Sequence, residues 1–150
     1  MLQRGEKLSP IKVKIQDNSE ITIPEEGKKY ILFFYPKDNT PGCTAEACSI
    51  RDEYQTLKKL GYELYGVSVD SIKSHVKFID NHQLPFSLIS DEEKTLVQTF
   101  GVWGLKKFMG REYMGTNRTT FIIDDSGKIS HVIDKVDTKN AAQQLLETLK

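Results

Sequence analysis

The run Tyr30-Ile31-Leu32-Phe33-Phe34-Tyr35 decides the fold: six consecutive apolar, β-favouring residues, with Gly27 shortly before and Pro36 immediately after. A strand that buries one face alternates apolar with polar residues, whereas an unbroken run is expected of a strand covered on both faces. The run is far short of the ~20 apolar residues that a membrane helix requires. We therefore predict a central strand here, with structure packed against both of its sides.

The flanking segments supply that structure. Upstream, Ile11-Lys12-Val13-Lys14-Ile15 alternates apolar and charged residues, Asp17-Asn18-Ser19 offers turn residues, and Ile21-Thr22-Ile23 follows, which predicts a hairpin. Downstream, Ala47, Ile50, Tyr54, Leu57 and Leu60 recur at helical spacing and Gly61 stops the pattern, so one long helix is expected from about Thr44 to Leu60. A second buried-type strand spans Leu64 to Val69. It runs into Asp70-Ser71, good caps for a helix carrying Val76, Phe78 and Ile79. A short strand from Phe86 to Ile89 and a helix from Glu93 to Phe100, entered through Ser90 and Asp91, come next.

Between Gly101 and Asn117 the pattern breaks. Four glycines, Trp103, Phe108, Tyr113 and two methionines show no period, so a long loop is expected, either lining a functional site or buried and ordered. The chain recovers with a strand from Thr119 to Ile123, a turn at Asp124-Asp125-Ser126-Gly127, a strand from Ile129 to Ile133 and a last helix from about Thr138 to Leu149. Strands alternating with helices define an α/β class. The expected architecture resembles a thioredoxin-like fold, a central mixed sheet flanked by helices with an N-terminal β-hairpin, in one domain over residues 1–150.

Composition narrows the function. Lys plus Arg and Asp plus Glu number 21 each, so no whole-chain field draws the protein to nucleic acid or to an anionic membrane, and small-molecule chemistry is favoured. The N-terminus Met1-Leu2-Gln3-Arg4-Gly5 lacks an apolar signal core, from which a cytoplasmic location is expected. Two cysteines are too few for a disulfide scaffold; in a reducing compartment such a pair points to reactivity.

Chemistry concentrates in Pro36-Lys37-Asp38-Asn39-Thr40-Pro41-Gly42-Cys43-Thr44-Ala45-Glu46-Ala47-Cys48, which joins the central strand to the long helix. Cys43 falls at or near the helix N-terminus, where unpaired N–H groups and the positive end of the helix dipole favour an anion. The thiolate is the nucleophilic form of cysteine, and a nearby guanidinium stabilises it further. Arg118 is the candidate, if its strand neighbours the central one. Against this stands the plain reading of both cysteines as small buried hydrophobes.

Tyr35-Pro36, Thr40-Pro41-Gly42-Cys43-Thr44 and Cys48 resemble the active-site signature of peroxiredoxins, in particular the bacterioferritin-comigratory or peroxiredoxin Q group. Gly101-Val102-Trp103-Gly104, Tyr113-Met114-Gly115 and Arg118-Thr119-Thr120-Phe121-Ile122-Ile123-Asp124 resemble the same group, in the same order. The resemblance implies that Cys43 is the peroxidatic cysteine, that Arg118 steadies its thiolate and the peroxide, that the Thr40 hydroxyl hydrogen-bonds at the site and that Pro36 shields the sulfur. Leu105, where an acidic residue is expected, and Asn117, where an apolar one is usual, depart from the pattern and bear on peroxide preference and self-association.

The reaction so implied begins with attack of the Cys43 thiolate on a hydroperoxide and gives a sulfenic acid, which condenses with a second thiol. Cys48 is the nearest candidate; a cysteine of another chain or a small thiol is the alternative. On one intact helix, five residues apart, the two cysteines differ by ~7.5 Å of rise and about 140° of rotation, which puts their Cα atoms roughly 8–9 Å apart. Disulfides seldom span more than about 7 Å, so a Cys43–Cys48 bond requires local unwinding. The resemblance further implies thioredoxin, or a glutaredoxin-like protein, as reductant, and a monomer.

Rival functions fit less well. A thioredoxin-type oxidoreductase needs a Cys-x-x-Cys spacing absent here. A zinc module needs about four ligands, and His75, His82 and His131 lack matching spacing. A non-catalytic thiol-bearing domain is distinguished by failure to consume peroxide. No phosphate loop or metal-ligand cluster stands out, so no cofactor or metal is expected. The histidines read as surface residues, and Trp103 with Phe108 as packing for the loop. Glu46 and Arg51 either set local electrostatics or form a solvated pair, and neither is read as catalytic.

Overall fold

The computed structural model describes all residues, 1–150. In chain order the elements are β1 (Ile11–Ile15), β2 (Glu20–Ile23), β3 (Lys29–Phe34), α1 (Pro41–Asp52), α2 (Tyr54–Lys59), β4 (Tyr62–Ser68), α3 (Ile72–His82), β5 (Ser87–Ser90), α4 (Thr95–Thr99), β6 (Trp103–Phe108), β7 (Arg111–Thr116), β8 (Thr119–Ile123), β9 (Ile129–Ile133) and α5 (Ala141–Thr148), the last preceded by a 3-10 turn at Thr138–Asn140. Seven strands form one mixed sheet in the order β2-β1-β5-β4-β3-β8-β9. The β3–β4 and β4–β5 pairs are parallel; β3–β8, β8–β9, β1–β2 and β1–β5 are antiparallel. This is the expected thioredoxin-like α/β arrangement, hairpin included.

The unbroken apolar run of β3 is explained by two cores. Tyr30, Leu32 and Phe34 point into one, with Leu96, Phe100, Phe121 and Ile123. Ile31, Phe33 and Tyr35 point into the other, with Cys43, Ile50, Leu57, Phe78 and Ile122. Strand periodicity of two sends successive side chains to opposite faces, so a strand between two helical layers has no polar position to spare. Phe34, Phe100 and Phe121 form an aromatic cluster with centroid separations of 5.0, 5.6 and 4.8 Å.

Three expectations change. The single helix from Thr44 to Leu60 is two, broken at Glu53, whose N–H donates to Ile50 O at 3.2 Å and tightens the turn to an i→i−3 bond. The fourth helix starts later than Glu93, because Lys94 takes a left-handed conformation (φ 63°) and Asp91 reaches over it to accept from Leu96 N and Val97 N at 3.0 and 2.9 Å.

The segment 101–117 is a two-stranded hairpin rather than a loop. Its turn is Met109-Gly110, both with positive φ (51° and 79°), the conformation that two-residue hairpins favour. Leu105, Phe108, Met109, Tyr113 and Met114 are exposed on it, so neither face is buried enough to print a period-two pattern on the sequence. Phe108 does not pack the segment, being 65% exposed, whereas Trp103 is half-buried against the core.

Candidate active site

The turn from Pro36 to Thr40 carries the chain from the end of β3 to the start of α1. Thr40 is the N-cap, in extended conformation, and Pro41 occupies the first helical position, where its fixed φ fits and its missing N–H is no loss. The first helical bond runs from Thr44 N to Thr40 O at 2.8 Å. Cys43 therefore sits in the first turn, where backbone N–H groups lack intrahelical acceptors and the dipole favours negative charge.

Arg118 enters from the other side of the sheet order. Because β8 pairs antiparallel with β3, with Phe34 opposite Thr119, the residue before β8 lies beside the end of β3 and the start of α1. Its Nη2 donates to Cys43 Sγ at 3.3 Å and its Nη1 to Glu46 Oε1 at 2.6 Å. The expected adjacency of Arg118 and Cys43 is present. Gly42 makes room for it, since a Cβ there would lie 3.3 Å from Nη2.

Glu46 was expected either to influence local electrostatics or to form a solvated pair with Arg51. It is fully buried and bonds Arg118, while Arg51 turns away to Asp52 and the His82 carbonyl. Burial pushes the Glu46 carboxyl up to about 7, and the Arg118 guanidinium opposes that rise without cancelling it. Its buried Oε2 has no hydrogen-bond partner within the protein. For Arg118, burial disfavours the cation, but the Glu46 charge and then the Cys43 sulfur outweigh it and the group is held more firmly protonated.

Lys106, on β6, brings a second cation near. Its ammonium donates to Thr116 O at 3.0 Å, and burial, reinforced by Arg118 and opposed by Cys43, holds it below the ordinary lysine range. Sequence reading passed over Lys106 because it lay in a segment without period.

The other expected site residues are nearby but bonded elsewhere. Thr40 Oγ1 donates to Lys37 O at 2.9 Å, which leaves its lone pairs as acceptors. Pro36 is half-buried immediately after β3. Cys48 is half-buried further along α1, and both cysteines are free thiols. Their placement on one continuous helix is the arrangement in which they cannot bond without unwinding.

The expectation that the histidines lie at the surface fails for His75. It is fully buried, with Nδ1 2.7 Å from Asp38 Oδ2 and Nε2 2.9 Å from Ile89 O. His82 and His131 are half-buried. No helix is long and apolar enough to cross a membrane.

The AhpC/TSA family profile matches residues 5–132. The chain is 41% identical over 150 residues to peroxiredoxin Bcp of Bacillus subtilis (strain 168), covering 99% of this chain and 96% of that protein. Among solved structures, a cysteine-to-serine mutant of PrxQ from Xylella fastidiosa superposes with a TM-score of 0.93 at 27% identity, covering 99% of this chain and 96% of that one. The bacterioferritin comigratory protein of Xanthomonas campestris, studied for its alkyl peroxide reduction activity, gives a TM-score of 0.86 at 30% identity over 93% and 89% of the two chains. The chain therefore belongs to the AhpC/TSA family, as a peroxiredoxin of the Bcp and Q group: a peroxidase that works through thiol chemistry.

Proposed function

We propose that Cys43 is the nucleophile of this peroxidase and that the reaction runs through a Cys43–Cys48 disulfide. The Cys43 thiolate attacks the terminal oxygen of a hydroperoxide, the O–O bond breaks, and the departing alkoxide or hydroxide leaves as alcohol or water after taking the peroxide proton. Sulfur keeps the transferred oxygen as a sulfenate, which takes a proton from solvent to become the sulfenic acid. Arg118 stabilises the thiolate before attack and the negative charge spreading over the peroxide oxygens during it. Thr40, with free lone pairs, accepts from the peroxide hydroxyl, and Pro36 limits access of water to the sulfur.

The sulfenic acid then condenses with the Cys48 thiol, releasing water. A dithiol protein, thioredoxin or a glutaredoxin-like reductant, returns both cysteines to thiols while its own pair is oxidised. Hydrogen peroxide and organic hydroperoxides are the substrates; the exposed apolar side chains of the β6–β7 hairpin suit the latter. A monomer acting in the cytoplasm, as one domain, completes the reading.

The observation that carries it is the Arg118 Nη2 to Cys43 Sγ bond at 3.3 Å in the first turn of α1. The intact α1 favours one alternative for the second step, condensation with a small thiol or a cysteine of another chain, because neither needs unwinding. Peroxide consumption with thioredoxin, thioredoxin reductase and NADPH tests both. Turnover lost in Cys43→Ser and impaired in Cys48→Ser is expected. Full turnover in Cys48→Ser with small thiols alone would establish the alternative, and none in the wild type with any thiol donor would remove the proposal.

A further inference from the structure

Asp38 is the only fully buried residue of the Pro36–Thr40 turn, its neighbours Lys37 and Asn39 being exposed. Its Oδ1 accepts from the Tyr35 hydroxyl at 2.6 Å; its Oδ2 accepts from Ser74 Oγ at 2.8 Å and faces His75 Nδ1 at 2.7 Å. Its backbone N–H donates to Asp70 Oδ2 at 2.9 Å, and that oxygen also accepts from Ser68 Oγ at 2.7 Å. The one buried aspartate of the turn is thus fastened to the end of β4 and the first turn of α3, and through His75 to β5.

Proton counting fixes the character of the pair. Ile89 O only accepts, so His75 Nε2 carries a hydrogen. Asp38 Oδ2 already accepts from Ser74, and a bare Nδ1 lone pair against it at 2.7 Å would be repulsive, so a second proton lies between Nδ1 and Oδ2. Both carboxylate oxygens of Asp38 and both ring nitrogens of His75 are partnered, the condition under which a buried polar network rigidifies what it touches. The spacing also disfavours a metal: two ligands at ~2.0 Å on a tetrahedral zinc lie about 3.3 Å apart.

None of these groups hydrogen-bonds Cys43, whose sulfur accepts from Arg118, and the peroxide reaction does not use them. What they hold is the turn that sets Thr40 and Cys43 against Arg118. Arg118 is referenced to the sheet through β8, whereas Cys43 follows this turn directly in the first turn of α1, and within the turn Asn39 is held at φ 60°. We infer that the buried Asp38–His75 pair is a positioning pair for the peroxide step, locking the β3–α1 turn so that Cys43 and Thr40 meet the peroxide in register with Arg118. The inference rests on the reading of Cys43 as the nucleophile.

Asp38→Asn tests it, since the amide places a donor against either the Tyr35 hydroxyl or the Ser74–His75 side. Two rates are compared in the folded protein: reaction of Cys43 with hydrogen peroxide, and its alkylation by iodoacetamide, which needs a thiolate but no aligned peroxide. The peroxide rate is expected to fall about 10- to 100-fold, the scale of a misplacement near 1 Å, with alkylation changed less than about threefold. His75→Asn, whose amide nitrogen can replace Nδ1 as donor, is expected to recover most of the peroxide rate, and His75→Leu to behave like Asp38→Asn. Lowered thermal stability with a wild-type peroxide rate in Asp38→Asn and His75→Leu would reduce the pair to a structural role and overturn the inference. Should those variants not fold, Ser74→Ala removes one donor to the same oxygen: a fall of about threefold or more in the peroxide rate alone supports the pair, and no fall overturns it. Absence of any fast peroxide reaction of Cys43 in the wild-type protein would remove the reading beneath it as well.

Discussion

Arg118 and Cys43 are 75 positions apart in sequence, and Nη2 of the first lies 3.3 Å from Sγ of the second. The contact exists because β8 runs antiparallel beside β3 and α1 begins at the end of β3, so one strand pairing delivers the guanidinium to the helix terminus. Removing it should be felt in chemistry and in folding at once. Arg118→Ala is expected to lower the rate of Cys43 with peroxide by about 10²- to 10³-fold, the usual effect of deleting one donor to developing charge. It also strands the buried Glu46, so its unfolding midpoint should drop. Stopped-flow oxidation and denaturant melts measure the two; a variant within threefold of the wild-type rate would contradict the role given to Arg118.

Glu46 makes stability pH-dependent in a stated direction. Burial raises its folded-state value from 4.5 to about 7, so the native state binds more protons than the unfolded chain between these values. The stabilisation is complete below about 4.5 and is lost as pH rises through about 7. Glu46→Gln does not titrate. From pH of about 4.5 to 8 the wild type should therefore lose up to about 3 kcal/mol relative to the variant, read from urea melts across that range. Parallel curves would show that Glu46 stays charged throughout.

Oxidation should unwind α1. Its first turns hold Cys43, and Cys48 lies too far around the same helix to bond it in place. Hydrogen exchange over residues 41–52 is expected to be slow in the reduced protein and markedly faster after one equivalent of peroxide, with the rest of the sheet unchanged. Equal protection in both states would exclude the intramolecular disulfide.

Gly66 is a packing requirement of the central sheet. A Cβ there would meet Leu88 Cδ2 at 2.7 Å and Phe33 Cζ at 2.8 Å, both in the core that also holds Cys43. Gly66→Ala is expected to cost about 1–3 kcal/mol of stability, typical of an overpacked core, by chemical denaturation. A loss under about 0.5 kcal/mol would mean that the two side chains yield freely.

Several features were legible in the chain itself because their signals are local. The unbroken apolar run of β3 required cover on both faces; the alternation of β1 required a half-buried hairpin strand; Thr40-Pro41-Gly42-Cys43 announced a cysteine at a helix start. The hairpin from Trp103 to Thr116 was not legible, since it buries neither face and turns on Met109-Gly110 rather than a residue pair typical of such turns. The break at Glu53 was equally silent, because the apolar spacing continues across it.

The sequence by itself determined the α/β class, the position of Cys43 at a helix N-terminus and the kind of chemistry a thiol performs there, since each depends on neighbours within a few residues. Only the tertiary structure decided which charges surround that thiol. Glu46 reads like a solvated helix residue and His75 like a surface histidine, yet one is buried against Arg118 and the other against Asp38. Burial and partner are set by strand pairing between distant segments, and a polar side chain carries no periodic mark of whether it meets water or another polar group.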